Sequence, residues 1–252
     1  MRKIRTDKLS VNIYKDRGEM GRAAAKDIAA CIRERVKARG EIRMIFAAAP
    51  SQNEVLAALA ADPSVPWEKV HAFHMDEYIG LPAGAPQAFS AFLKNAIFDR
   101  VPFASVDLID GTRDPAEEAR RYAALLLKAP IDIVCLGIGE NGHIAFNDPH
   151  AAEFYDNEPV KIVDLDEVCR TQQVHDGCFA ALDDVPCQAL TLTVPTLMCA
   201  ARHFCIVPGA SKADAVRKTV CGPITADLPA TALRLKDGAR MYCDEDSARE
   251  IL

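Results

Sequence analysis

Apolar and polar positions follow two alternating rhythms along the chain. Short continuous apolar runs rich in Val, Ile and Leu occupy residues 42–49, 70–75, 131–136, 190–194 and 203–207. Runs of that length and kind predict strands buried on both faces. Shorter ones at 11–14, 106–109, 160–165 and 239–243 predict further strands, the first of them at a sheet edge. Between them, apolar residues return every three or four positions. Asp16 with Glu19, and Asp114 with Glu117, have the spacing of capping boxes. They predict helices running to Ala38, with Gly40 as the stop, and to Lys128. Ser51 with Glu54 and Ser211 with Asp214 predict two more helices, to Ala60 and to Val220, and residues 87–99 read as an amphipathic helix. Pro63, Pro66, Pro223 and Pro229, and the stretch from Gly80 to Pro86, mark loops. Strands alternating with helices imply an α/β fold with a mostly parallel central sheet covered on both faces. No repeat or low-complexity linker divides the chain, so a single domain over residues 1–252 is expected.

One stretch departs from plain rhythm. Residues 131–149, IDIVCLGIGENGHIAFNDP, begin as a buried strand. They then break into Gly137, Gly139 and Gly142, and deliver His143, Asn147 and Asp148 before Pro149. A strand ending in such a turn sets reactive groups at the carboxyl edge of a sheet, where open α/β folds bind ligands. A structural turn with a solvated histidine is the plainer alternative. The same glycines satisfy G-x-G-x-x-G, the fingerprint of dinucleotide sites. That reading fails because the pyrophosphate rests on a helix opening at the third glycine. Pro149 falls seven residues after Gly142 and leaves room for at most about two turns. No nicotinamide cofactor is expected.

Composition narrows the classes. With 36 acidic against 30 basic residues, the net charge is -6, which argues against nucleic acid as a partner but leaves room for a local basic pocket. The first 16 residues are too polar for a signal peptide, and no apolar run could span a membrane, so a cytoplasmic location is expected. Nine cysteines occur without any C-x-x-C spacing. Free, mostly buried thiols in a reducing compartment explain them, and no metal site is expected.

Three smaller constellations carry chemistry. Asp76-Glu77 ends the strand at 70–75, where a carboxylate can act as a base beside a carbonyl. Alone, that pair reads equally as an N-cap or a solvated pair. Ser211-Lys212 offers a hydroxyl, free N–H groups and a cation at a helix start. Simple capping with a surface lysine is the alternative there. The turn at Pro50-Ser51 is a second candidate phosphate cradle.

Together HMDEY (74–78), GIGENGHIAFNDP (137–149) and PGASKADAV (208–216) resemble the glucosamine-6-phosphate deaminase/isomerase family, over about residues 20–245. The related 6-phosphogluconolactonases continue differently after their Gly-His and Asp-Glu. The resemblance implies a Rossmann-like three-layer α/β/α fold. It also implies a cofactor-free, metal-free conversion of an amino-sugar phosphate to a ketose phosphate with loss of ammonia. His143 would open the sugar ring, oriented by Asp148, where relatives often have Glu. Asp76 would move the proton between C2 and C1 through an enediol-type intermediate. Asn141 stands where many relatives have Asp, and as an amide it could only hydrogen-bond. Substrate contacts would fall to Ser51, Glu77, Gly139, Ala145, His175, Ser211 and Lys212. The expected partner is a small sugar phosphate, and a homo-oligomer is compatible with the family.

Two departures weaken the phosphate grip. Ala49-Pro50-Ser51-Gln52 replaces the family's Gly-Gly-Thr-Pro turn, and Pro50 has no N–H to donate. Many relatives carry a phosphate-binding Arg near positions 171–178, where this chain offers only His175, with Arg170 just before. Two alternatives therefore stand beside the deaminase. One is a sugar-phosphate lactonase or non-deaminating isomerase. The other is a sugar-phosphate-binding regulator without turnover.

Overall fold

A computed structural model describes residues 1–252. In chain order it begins with β1 (Arg2–Thr6), β2 (Leu9–Tyr14), α1 (Arg17–Arg39), β3 (Ile42–Phe46) and α2 (Asn53–Ala60). Next come β4 (Val70–His74), β5 (Asp76–Tyr78), α3 (Phe89–Leu93), β6 (Ser105–Asp107) and α4 (Pro115–Leu126). The middle holds β7 (Ile133–Leu136), β8 (Val160–Asp164), α5 (Glu167–His175), β9 (Gln188–Leu192) and α6 (Val194–Met198). The chain ends with β10 (Arg202–Val207), α7 (Ala213–Cys221), β11 (Arg240–Asp244) and α8 (Glu245–Ala248).

Eight strands form the main sheet in the order β1-β2-β11-β10-β7-β3-β4-β6. All neighbours are parallel except β1 against β2. Period-two alternation divides the side chains of the central β7 between two cores. Ile133 and Cys135 enter one, packed with Ile28 and Ile32 of α1 and Leu59 of α2. Val134 and Leu136 enter the other, with Tyr122 of α4, Leu197 of α6 and Val216 of α7. Burial on both faces explains why these strands read as unbroken apolar runs. The result is the expected three-layer α/β/α arrangement.

The order reverses at the centre: from β3 the chain moves out through β4 to β6, then returns to β7 on the other side of β3. The carboxyl ends of β3 and β7 therefore diverge, which opens a crevice where α/β sheets take their ligands.

Several expectations are corrected. β2 is not an edge strand, because β1, unforeseen, lies outside it. The strands at 160–165 and 190–194 do not join the main sheet; β8 and β9 form a second, antiparallel sheet with β5, in the order β5-β9-β8. The helix at 87–99 is a short α-helix that widens into a π-turn over Lys94–Phe98. Capping is as expected at α1 and α4, where Asp16 and Asp114 accept from the N–H groups of Glu19 and Glu117. Ser51 and Ser211 make no capping bond. Each instead sits in a 3-10 turn, Pro50–Gln52 or Ala210–Lys212, that leads directly into α2 or α7. No helix is long and apolar enough to cross a membrane.

Candidate active site

A cavity of about 570 Å³ lies over the reversal point, a size that suits one small polar ligand. Its walls come from the carboxyl ends of β3, β4, β7 and β10, through residues such as Ser51, Asp76, Gly139, His143 and Lys212. Segments far apart in sequence thus converge because parallel strands all end on one edge of the sheet.

The turn after β7 builds the acid–base pair. His143 Nδ1 lies 2.9 Å from Asp148 Oδ1. Asn141 supports both partners, donating from Nδ2 to Asp148 Oδ1 at 2.8 Å and accepting from the His143 N–H at 3.0 Å. Gly139 closes the turn by donating its N–H to His143 O at 2.9 Å. A Cβ on Gly139 would stand 2.3 Å from the His143 ring, so only glycine lets the imidazole lie against the backbone here. Ala145 holds a left-handed φ of 50° on the cavity wall, a conformation that costs a non-glycine residue free energy. No helix opens at Gly142, so this turn lacks the helix N-terminus on which a dinucleotide's pyrophosphate would rest.

Asp148 is fully buried. Burial alone would raise its pKa. The hydrogen bond and charge of His143 and the Asn141 amide outweigh that and hold it at about 2. It is therefore ionised at any working pH and fixes the imidazole with Nδ1 protonated. His143 Nε2 has no protein partner and belongs to the residue's cavity-lining edge. Behind the pair lies Cys169, also fully buried. Asp148 Oδ2 has no full hydrogen bond, and this thiol is the polar group beside it. His143, Asp148 and Cys169 bring one ligand atom each within 4.8 Å of one another, the one grouping in the molecule with metal-ligand proximity.

Asp76 also lines the cavity; it opens β5, where the chain leaves the main sheet for the small one. It is 6 % exposed. Burial, and then the neighbouring Glu77 carboxylate, push its pKa well above the usual carboxylate range. Glu77 itself faces away. Its carboxylate accepts from the backbone N–H groups of Tyr78, Phe89 and Ser90 at 3.0, 2.9 and 2.8 Å, and it does not line the cavity. Burial would raise its pKa, but the adjacent His74 and these donors bring it below the ordinary value. The expected substrate contact at Glu77 is therefore replaced by a structural one: it ties β5 to the start of α3.

Ser51, Ser211 and Lys212 also line the cavity. Lys212 is 7 % exposed and pairs with no carboxylate; burial lowers its pKa, and Asp176 and Glu140 work against that. Gly137 brings the β7 turn against Ser51, whose Oγ would lie 3.2 Å from a Cβ there. His175 is not brought to the site. Its side chain is 62 % exposed and lies 4.0 Å from Glu140, outside the cavity lining, because the last turn of α5 directs it to solvent. Arg170 is also spent elsewhere, on the carbonyls of Val185 and Leu182. Sequence reasoning passed over several cavity residues, Arg17 and Gln172 among them. Arg17, at the first turn of α1, reads as an ordinary solvated charge. Gln172, which accepts from the Glu140 N–H at 2.9 Å and so holds the turn after β7, carries no motif.

Comparison with known proteins agrees with this geometry. The family described as glucosamine-6-phosphate isomerases/6-phosphogluconolactonase matches residues 15–242. A glucosamine-6-phosphate deaminase of Streptococcus equi subsp. zooepidemicus is 35 % identical over 181 residues, 71 % of this chain and 75 % of that protein. One from Exiguobacterium sp. is 38 % identical over 180 residues, 71 % of this chain and 69 % of that one. Among solved structures, a monomeric glucosamine-6-phosphate deaminase superimposes with a TM-score of 0.85 at 28 % identity, covering 95 % of this chain and 99 % of its own. A 6-phosphogluconolactonase of Thermotoga maritima gives 0.77 at 18 % identity over 94 % of this chain and all of its own, which shows a shared fold. A match running from α1 into β11, and relatives 35 and 38 % identical over more than two thirds of their length, establish that this chain belongs to the glucosamine-6-phosphate isomerase/6-phosphogluconolactonase family.

Proposed function

We propose that this protein is a deaminating isomerase of amino-sugar phosphates, acting as one domain in the cytoplasm. It converts glucosamine 6-phosphate and water to fructose 6-phosphate and ammonia, or acts on a close analogue. One observation carries the reading. A single cavity is lined by a buried carboxyl, Asp76, and by a histidine whose Nδ1 is held by an ionised carboxylate. Ring opening and aldose-to-ketose conversion need those two functions on one sugar. The deaminase relatives support the choice of reaction. Nine free cysteines, five of them buried, support a reducing compartment.

In this scheme His143 Nε2 takes the proton of the C1 hydroxyl and delivers it to the ring oxygen, leaving the open-chain aldehyde. Asp148 steadies the charge that passes through the ring of His143. Asp76 removes the C2 proton and returns it at C1, while O1 gains the proton that the C2 amine gives up. The C2 imine so formed takes up water and releases ammonia. Asn141 positions His143 and Asp148 and exchanges no proton, as an amide must.

The test is a direct assay. Purified protein with glucosamine 6-phosphate is expected to release ammonia and fructose 6-phosphate in equal amounts. Hydrolysis of 6-phosphogluconolactone without ammonia release from any amino-sugar phosphate would replace the reading with a lactonase. Tight binding of glucosamine 6-phosphate without product would replace it with a regulator.

A further inference from the structure

Pro50 and the missing arginine after residue 170 leave the expected phosphate site short of donors. The geometry points to Arg17 as the residue that completes it: the substrate's phosphate seats between Arg17, Ser51 and Lys212. This assignment rests on the sugar-phosphate reading above and extends it to a residue outside the motifs that support it.

Arg17 carries the only guanidinium that lines the cavity. It stands at the first position of α1, just beyond the carboxyl end of β2, so the sheet's ligand edge presents it. Its guanidinium is held on two sides. Nε and Nη2 donate to Glu54 Oε1 and Oε2 at 2.7 and 2.9 Å. Nη2 also donates to the Pro50 carbonyl at 3.0 Å. Pro50 is the residue next to Ser51, so this bond ties the guanidinium to the turn that carries Ser51. Nη1 alone has no protein acceptor. A guanidinium locked in one plane with a spare N–H edge is organised before the ligand arrives, and it loses little side-chain freedom on binding.

The second observation lies in Lys212. A nearly buried ammonium without a carboxylate partner costs free energy unless an anion completes it. Two 3-10 turns leading into helices, Pro50–Gln52 and Ala210–Lys212, end on the same cavity and add their positive ends. Glu54 neutralises much of the charge on Arg17, so Lys212 supplies the net attraction. Arg17 then supplies direction, which a lysine alone gives poorly. The Glu54 side chain that reads as half of a capping box is used instead to aim the arginine.

The experiment measures binding of inorganic phosphate, glucosamine 6-phosphate and free glucosamine by calorimetry, on wild type, Arg17→Ala, Arg17→Lys and Glu54→Gln. Arg17→Ala is expected to weaken both phosphorylated probes about 10- to 100-fold, the loss of one charge-assisted hydrogen bond, and to leave free glucosamine unchanged. Arg17→Lys is expected to recover only part of the loss, since an ammonium cannot bridge Glu54 and still present a fixed donor. Glu54→Gln, which loosens the fork without removing the charge, is expected to fall between wild type and Arg17→Ala. Arg17→Ala binding inorganic phosphate as wild type does would overturn the assignment, as would an equal loss for free glucosamine. Weakened phosphate binding in a protein that releases no ammonia would uphold Arg17 while removing the deaminase reading.

Discussion

The carboxyl of Asp76 is buried beside Glu77, and no cation offsets either influence. Its pKa in the folded protein lies above the value near 3.9 expected of the unfolded chain. The sign follows by linkage. Below the unfolded value the group is protonated in both states and folding is unaffected. As pH rises from there through the raised folded value, the unfolded state ionises first, and stability is lost. At neutral pH the buried group thus costs stability, and the proposed role of Asp76 as base needs its ionised form. Asp76→Asn keeps the shape and removes the base. Turnover is expected to fall at least about 100-fold, the usual scale for loss of a general base. The melting temperature at pH 7 is expected to rise, with the gain vanishing towards pH 4. The same raised value places the acid limb of kcat/KM in the wild type above the ordinary carboxylate range, because the base acts only when ionised. Near-normal turnover in the variant would remove Asp76 from the mechanism. An acid limb at an ordinary carboxylate value would show that its environment does not tune it.

Among elements, the turn after β7 depends on backbone more than on side chains. The imidazole of His143 occupies the space a Cβ would take at Gly139. Gly139→Ala is therefore expected to push the ring off its 2.9 Å contact with Asp148 and cut kcat/KM about 100-fold or more, the order of one misplaced acid–base group. Ammonia-release kinetics, with phosphate binding as the control, would check this, and a variant as active as wild type would mean that the ring has another resting place. This turn was readable in the sequence because glycines, a histidine and a carboxylate followed an apolar run. The main strands were readable for the same reason, being buried on both faces. The small sheet was not: β5 has three residues, Asp76–Tyr78, and nothing in so short a run says that it leaves β4's sheet to pair with β9. Side-chain partners across elements were equally hidden. Ser51 and Glu54 have capping-box spacing, yet Glu54 turns to Arg17 of α1, 37 positions away. His175 lies one turn beyond the cavity-lining Gln172 on the same helix, yet its side chain is exposed at the helix end, and no sequence feature separates the two.

Over the whole molecule, His, Cys, Asp and Glu side chains reach metal-ligand proximity in one place, and it coincides with the acid–base pair. The pair's geometry suits a proton. His143 Nδ1 and Asp148 Oδ1 lie 2.9 Å apart, shorter than the roughly 3.3 Å kept by two ligands about 2.0 Å from a tetrahedral zinc. Burial, and then the Asp148 charge, push the Cys169 thiol well above its ordinary pKa, so it stays protonated unless a metal displaces that proton. The steps assigned to Asp76 and His143 move protons only. Full activity is therefore expected after exhaustive chelation. Added zinc is expected to inhibit by taking Nδ1 from its proton and pinning the ring, and a chelator to reverse the inhibition. Replacing Cys169 with Ser would weaken that inhibition, since a hydroxyl binds zinc less well than a thiolate, and would leave the uninhibited rate within a few-fold of wild type. A chelated protein that regains activity with a single divalent ion would overturn the proton-only scheme and assign the cluster a metal.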